Sequence, residues 1–184
     1  MIYKTRKYPQ FSACGLNCGL CPRYHTVGAS RCPGCAGEGF LEVHPTCGIL
    51  SCNQRKGLEY CFECDNFPCK KYSKADAWDS FVTHRKQMSD MEKARQIGMD
   101  AYAAELNKKI EILEELINNY NDGRRKGFFC LAVYLFELED VERIMAEIKN
   151  DINPQMTVKE KAARVVELFQ AMADEKGIDL KLRK

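Results

Sequence analysis

The reading of this chain turns on "CGLNCGLCPRYHTVGASRCPGC", Cys14 to Cys35, which holds five cysteines. Cys18/Cys21 and Cys32/Cys35 have Cys-x-x-Cys spacing, and Cys61/Cys64 repeats it. Two intervening residues let a tight turn aim both thiolates at one tetrahedral ion. Gly and Pro beside the cysteines, as in "CPGC", favour such turns. A single pair is weak, because thioredoxin-like redox sites use it too. Three between Cys18 and Cys64 are a strong signal. His44-x-x-Cys47 offers a fourth pair, and Cys14, Cys52 and Cys69 complete the set. The candidate metal ligands are therefore Cys14, Cys18, Cys21, Cys32, Cys35, His44, Cys47, Cys52, Cys61, Cys64 and Cys69.

The bland reading of a cysteine is a small buried hydrophobe. It suits Cys130, inside the apolar run "FFCLAVYLF". It does not explain ten thiols in turn-rich, weakly apolar sequence. Disulfides are disfavoured as well. The basic start "MIYKTRKYPQ" is not followed by the apolar core of a signal peptide, and "FFCLAVYLF" is far short of a membrane span. The expected compartment is a reducing cytoplasm, with no membrane segment, and clustered cysteines there bind metal more often than they pair. Eleven cysteines, an odd number, also fit a disulfide web poorly.

The 184 residues carry a net charge of +2, unevenly spread. Residues 1–74 hold ten Lys/Arg against five Asp/Glu, and the remainder holds 18 against 21. A basic cysteine-rich half invites a nucleic-acid reading. Yet zinc bound by four thiolates leaves a centre near about −2, so two such centres nearly cancel the surplus. Nucleic-acid binding is accordingly ranked last.

Composition changes near Ala75. Residues 1–74 are short Cys, Gly and Pro segments such as "SRCPGCAGEG" and "CDNFPCKK", too poor in apolar residues for a core of their own. Residues 75–184 read as an α-helical domain. "ADAWDSFVTHRKQM" sets Trp78, Phe81, Val82 and Arg85 on one side, which predicts a helix over 75–88. In "DAYAAELNKKIEILEELINNYNDG" the stripe is Leu106, Ile110, Leu113, Ile117 and Tyr120. "FFCLAVYLF" reads as a buried helix, although its length alone also permits a strand. "LEDVERIMAEIKN" continues with Leu138, Val141, Ile144, Met145 and Ile148. Thr157 and Glu160 predict a capping box at the head of the last helix. Its stripe is Val158, Ala162, Val165, Leu168 or Phe169, and Met172, and Gly177-Ile178 marks its stop. The alternating tail "IDLKLRK" suggests a short strand.

Zinc is preferred over iron. Cys14-x3-Cys18-x2-Cys21 looks like the cluster motif of radical S-adenosylmethionine enzymes, but no repeated strand-helix units follow to build their barrel. Ferredoxin spacing is matched only loosely. Zinc deaminases need H-x-E and P-C-x-x-C. His44-Pro45-Thr46 lacks the glutamate and Pro68-Cys69-Lys70-Lys71-Tyr72 lacks the second cysteine. The surplus of cysteines favours closed, structural sites. One partition of ligands among several joins Cys18/Cys21 with Cys47/Cys52, and Cys32/Cys35 with Cys61/Cys64.

The ordered runs "CGLNCGLCP", "CPGC", "CGILSC" and "CFECDNFPCKKY" resemble the bacterial and archaeal family called domain of unknown function 3795. The later "NDGRRKGFFCLAVYLFELEDVERIMAEI" resembles the helical portion carried by some members, so the likeness covers most of the chain. It implies a metal-binding module and no particular reaction. Where relatives tend to show Cys-x-x-Cys, this chain has His44-x-x-Cys47, which makes His44 a possible ligand.

Other groups read blandly. Glu63 fits a solvated turn, and His25 and His84 have no partner legible in the sequence. "GRRKG" (Gly123–Gly127) fits a basic loop, although its position before a helix suits an anion. Cys69 beside Lys70 and Lys71 would be redox-reactive unless metal-bound. The resulting expectation is a mainly α protein: an irregular, cysteine-rich, metal-stapled module (1–74) followed by an α-helical domain (75–184). It would hold two zinc ions as structural staples, act by binding a protein partner or small ligand, and carry no catalytic residues. The alternative is an iron–sulfur redox or enzyme-accessory protein built on Cys14, Cys18 and Cys21.

Overall fold

The computed structural model describes residues 3–73 and 77–184. Helix is the only regular secondary structure among them. Two short helices, α1 (Phe40–Val43) and α2 (Gly48–Arg55), lie in the cysteine-rich part. Then come α3 (Gln87–Ile97), α4 (Met99–Tyr120), α5 (Lys126–Leu135), α6 (Leu138–Asp151) and α7 (Val158–Lys176). Three 3₁₀ turns, Cys18–Leu20, Cys61–Glu63 and Lys70–Tyr72, each start at or just after a cysteine. No helix of the described residues is long and apolar enough to cross a membrane.

The chain forms two compact units. One contains the chain through Leu106 together with Leu182–Lys184, and the other is Asn107–Lys181. The composition boundary expected between residues 74 and 75 falls outside the described residues.

The second unit follows its apolar periodicity. Leu113 and Leu116 on α4 are fully buried, whereas Ile117 is only half-buried, so the stripe turns one residue earlier than expected. "FFCLAVYLF" is helical, and every residue from Phe129 to Phe136 is buried, Cys130 included. Leu138, Val141, Ile144, Met145 and Ile148 are the buried face of α6. On α7 the buried choice is Phe169 rather than Leu168, and its ring meets Phe128, Phe129 and Phe136. Val158, expected in that stripe, is exposed. Lys109 is buried and donates from Nζ to the Phe136 carbonyl at 2.5 Å, capping the end of α5. The capping box is present: the Thr157 hydroxyl accepts from the Glu160 N–H, and the Glu160 carboxylate accepts from the Thr157 N–H. Gly177 takes φ of +66° and closes the helix, with the Ile178 N–H on the Ala173 carbonyl.

Two expectations fail. Residues 77–86 are turns and bends, not helix, with Trp78 and Phe81 exposed; Ala75 and Asp76 lie outside the described residues. The cause is competition from polar side chains for backbone groups. Asp79 accepts from the His84 N–H, and the Ser80 hydroxyl bonds the Val82 carbonyl. The tail "IDLKLRK" forms no strand. Instead Arg183 is strapped to Asp79 by main-chain and side-chain bonds, with Nη2 2.9 Å from the carboxylate.

This strap is pH-dependent. Burial raises the Asp79 pKa, but donors from Arg183 and the His84 N–H outweigh it and hold the carboxyl at about 2. The folded value lies below the ordinary ~3.9. The strap is therefore complete above about pH 4 and weakens as pH falls toward about 2. Exchange protection of the Arg183 amide is expected to drop over that window while amides of α6 hold longer. In Asp79→Asn the Arg183 protection should be weak from the outset and insensitive to pH.

Candidate metal centre

The cysteine loops are positioned from below by α3. Gly15 has φ of +91°, and a Cβ there would lie 2.4 Å from Met91 Cγ and 2.8 Å from the Gln87 carbonyl. Only glycine lets the "CGLNC" loop come so close. The Gln87 side-chain amide donates to the Cys14 carbonyl at 2.7 Å. Asn17 donates to the Asp90 carboxylate at 2.9 Å and accepts from the Tyr102 hydroxyl at 3.1 Å. All three side chains are buried. Gly34 plays the matching part in "CPGC": φ is +87°, and a Cβ would sit 2.3 Å from the Pro9 carbonyl.

Two Cys-x-x-Cys segments are already folded as turns. The Cys21 N–H bonds the Cys18 carbonyl, and the Cys64 N–H bonds the Cys61 carbonyl. The Glu63 carboxylate orders the second turn by accepting from the N–H groups of Glu59 and Tyr60. It caps this turn.

The ten thiols fall into two groups. In the first, Cys18 lies within electrostatic reach of Cys14, Cys21, Cys32 and Cys35, and Cys14 within reach of Cys35 and Cys47. Cys18, Cys35 and Cys47 share one apolar cluster with Tyr3, Phe40 and Leu50. The second group, Cys52, Cys61, Cys64 and Cys69, lines a cavity of about 190 Å³ with Lys56 and Tyr72. Tyr72 stands between the groups, with its hydroxyl on the Cys14 carbonyl and against the Cys61 thiol. Cys47 thus lies with Cys18 and Cys35, and Cys52 with Cys61, Cys64 and Cys69.

Burial pushes the Cys14 thiol up to about 12 and raises Cys18, Cys21, Cys35 and Cys61, because a dry site disfavours thiolate. Cys64 is the exception: the Asn66 N–H and the Lys56 ammonium, 3.1 Å from its sulfur, draw its pKa down. Cys61 donates to Asn53 Oδ1. In the first group the buried Arg6 lies against Cys35 and pulls on its thiol.

His44 stands on the exposed surface, stacked on Phe40 with Nδ1 at the Pro45 carbonyl. His25 is at the Gly19 carbonyl, and His84 meets Ser80 and Trp78. In "GRRKG", Asp122 and Asn121 accept from the N–H groups of Arg124 and Arg125, which makes it an ordered basic loop. Among the described residues, no three His, Cys, Asp or Glu side chains are arranged so that they could hold a metal ion as they stand.

Residues 10–74 match the family described as protein of unknown function, DUF3795. This segment belongs to that family. The DUF3795 segment contains all ten clustered cysteines and ends at Lys74. The likeness of the later helical stretch to family members therefore rests on the resemblance alone. No curated protein and no solved structure matches the chain significantly.

Sequence reasoning missed Gln87, Asp90 and Tyr102 as supports of the cysteine loops. The signal for Asp90 and Gln87 was their position on the apolar side of α3 beside Met91 and Ala94. Gly15→Ala is expected to lower stability by more than about 1 kcal/mol, since both the φ and the close approach oppose a side chain. Urea unfolding followed by Trp78 fluorescence measures it.

Proposed function

We propose that the DUF3795 segment is a zinc-binding module whose metal is structural, joined to a helical domain and acting by binding a protein partner or small ligand. The observation that carries this reading is the gathering of ten thiols into two groups around preformed Cys-x-x-Cys turns. As donors they suit a soft ion, and thiolate sets of this kind select zinc or iron–sulfur centres. Zinc, when bound, supplies the folding free energy that short apolar segments lack.

The chain's own residues prepare for thiolate. Lys56 donates to Cys64, and the Asn66 N–H points at the same sulfur. Such donors orient a ligating sulfur and offset its charge. This use of the basic residues favours sulfur over phosphate as their partner. The ligands are drawn from Cys14, Cys18, Cys21, Cys32, Cys35 and Cys47 in one group, and Cys52, Cys61, Cys64 and Cys69 in the other. His44, on the exposed surface against Phe40, is left out.

Elemental analysis and a visible spectrum of protein purified without oxygen test the reading. Zinc without colour is expected. Iron with sulfide and a broad band near ~400 nm would instead establish an iron–sulfur protein. A chelator is expected to expose the first unit to protease while the helical circular dichroism of α5, α6 and α7 persists. Full protection of residues 10–74 without metal would overturn a structural role.

A further inference from the structure

Large apolar side chains left in water are informative when they gather in one place. Trp78 is 51% exposed, Phe81 65% and Leu182 41%. All three belong to the first unit. The Asp79 N–H donates to the Arg183 carbonyl at 3.0 Å, so Trp78 and Leu182 each adjoin one end of a single backbone bond. Phe81 follows three places after Trp78 on an anchored turn. Asp79 accepts from the His84 N–H, the Ser80 hydroxyl bonds the Val82 carbonyl, and Val82 and Thr83 are buried. The rings are thus presented outward by fixed backbone, and a surface already in order loses little freedom on binding.

A second observation concerns charge. The Arg23 guanidinium lies over the Phe81 ring, 5.5 Å from its centroid, and is pinned by donating from Nη2 to the Val43 carbonyl at 3.3 Å. One residue on, Tyr24 carries Arg31 over its ring at 5.4 Å. In the Arg183–Asp79 pair the arginine side chain keeps 30% of its surface in water and the aspartate none, so the pair turns its positive member outward. No Asp or Glu stands between Met1 and Gly37. Tryptophan and arginine are enriched among the residues that dominate protein–protein binding. A nucleic-acid strand instead stacks its bases on open ring faces along a basic groove. Here Arg23 covers one face of Phe81, and Leu182 has no π-face to offer a base. Apolar side chains pack equally well on Trp78, Phe81 and Leu182.

We propose that Trp78, Phe81 and Leu182, flanked by Arg23, Arg31 and Arg183, form the docking face for a partner protein, and that the docked segment carries apolar side chains between Asp or Glu residues. Its apolar side chains cover the rings, and its carboxylates meet the three guanidinium groups. This rests on the reading above that the chain acts by binding a partner, and deepens it by naming the face and the partner's chemistry.

The test uses the full chain as purified, with its metal content measured, and the acidic aromatic copolymer poly(Glu,Tyr) as probe. Trp78 is the only tryptophan of the chain, so its emission reports on the face itself. Poly(Glu,Tyr) is expected to shift that emission to the blue and to bind more weakly as salt is added. Phe81→Ser and Arg23→Gln should each weaken binding more than ~10-fold, as loss of a central interface residue does, read from the anisotropy of labelled probe and with zinc content unchanged. Lys108→Gln removes an exposed cation from the second unit and should leave binding as it was. Equal weakening in Lys108→Gln would reduce the effect to general charge attraction and overturn the docking face. No response of Trp78 in a zinc-loaded chain would also overturn it, and would leave the zinc reading intact. Tighter binding of oligo(dT) than of poly(Glu,Tyr) would assign the face to nucleic acid and overturn the proposal. Binding by a chain that holds no zinc would support the docking face and overturn the zinc reading alone.

Discussion

The first unit depends on one buried polar contact. Asp90 is 6% exposed, on a helix that the cysteine loop covers. A buried carboxylate is costly unless its lone pairs are filled, and Asn17 fills one while itself held by Tyr102. The residue three places upstream on α3, Gln87, grips the Cys14 carbonyl. Loop backbone at residues 14–17 is thereby fixed against helix, and the thiols of Cys14 and Cys18 inherit their positions from it. Leucines in these places would bury as much area without specifying which loop atom meets which turn of helix.

The two units reach order by different means. The second is built as a conventional helical core, in which Phe169 and its three phenylalanine neighbours fill the space between helices. The first has apolar patches, such as Tyr3 with Phe40 and Leu50, interrupted by thiols. Its remaining order comes from glycines where chains cross closely, and from side chains that occupy free backbone groups, as Glu63 does.

Legibility in the sequence followed this division. The buried faces of α6 and α7 and the Thr157–Glu160 cap could be read because helical period and capping are local codes. The stretch 77–86 misled, since Trp78, Phe81 and Val82 fall at helical spacing while Asp79 and Ser80 spend their side chains on the backbone. Asp79's second partner, Arg183, is 104 residues away, which no window of sequence contains. The cysteine pairs announced themselves by spacing. How the pairs combine did not, because association of Cys52 with Cys61, Cys64 and Cys69 is set by the return of the chain past α2, and nothing local encodes it.

The Arg183 strap bears on how the molecule can be dissected. The first unit takes its last three residues from the far end of the chain, so the second unit is, in topological language, an insertion. A fragment ending at residue 106 would leave the Asp79 carboxylate without its guanidinium. A faithful minimal form is a deletion, in which a short linker replaces residues 107–181 and the terminal segment stays. By the same geometry, a purification tag fused directly after Lys184 sits next to a bond the fold uses, whereas one set off by a flexible spacer leaves that bond alone.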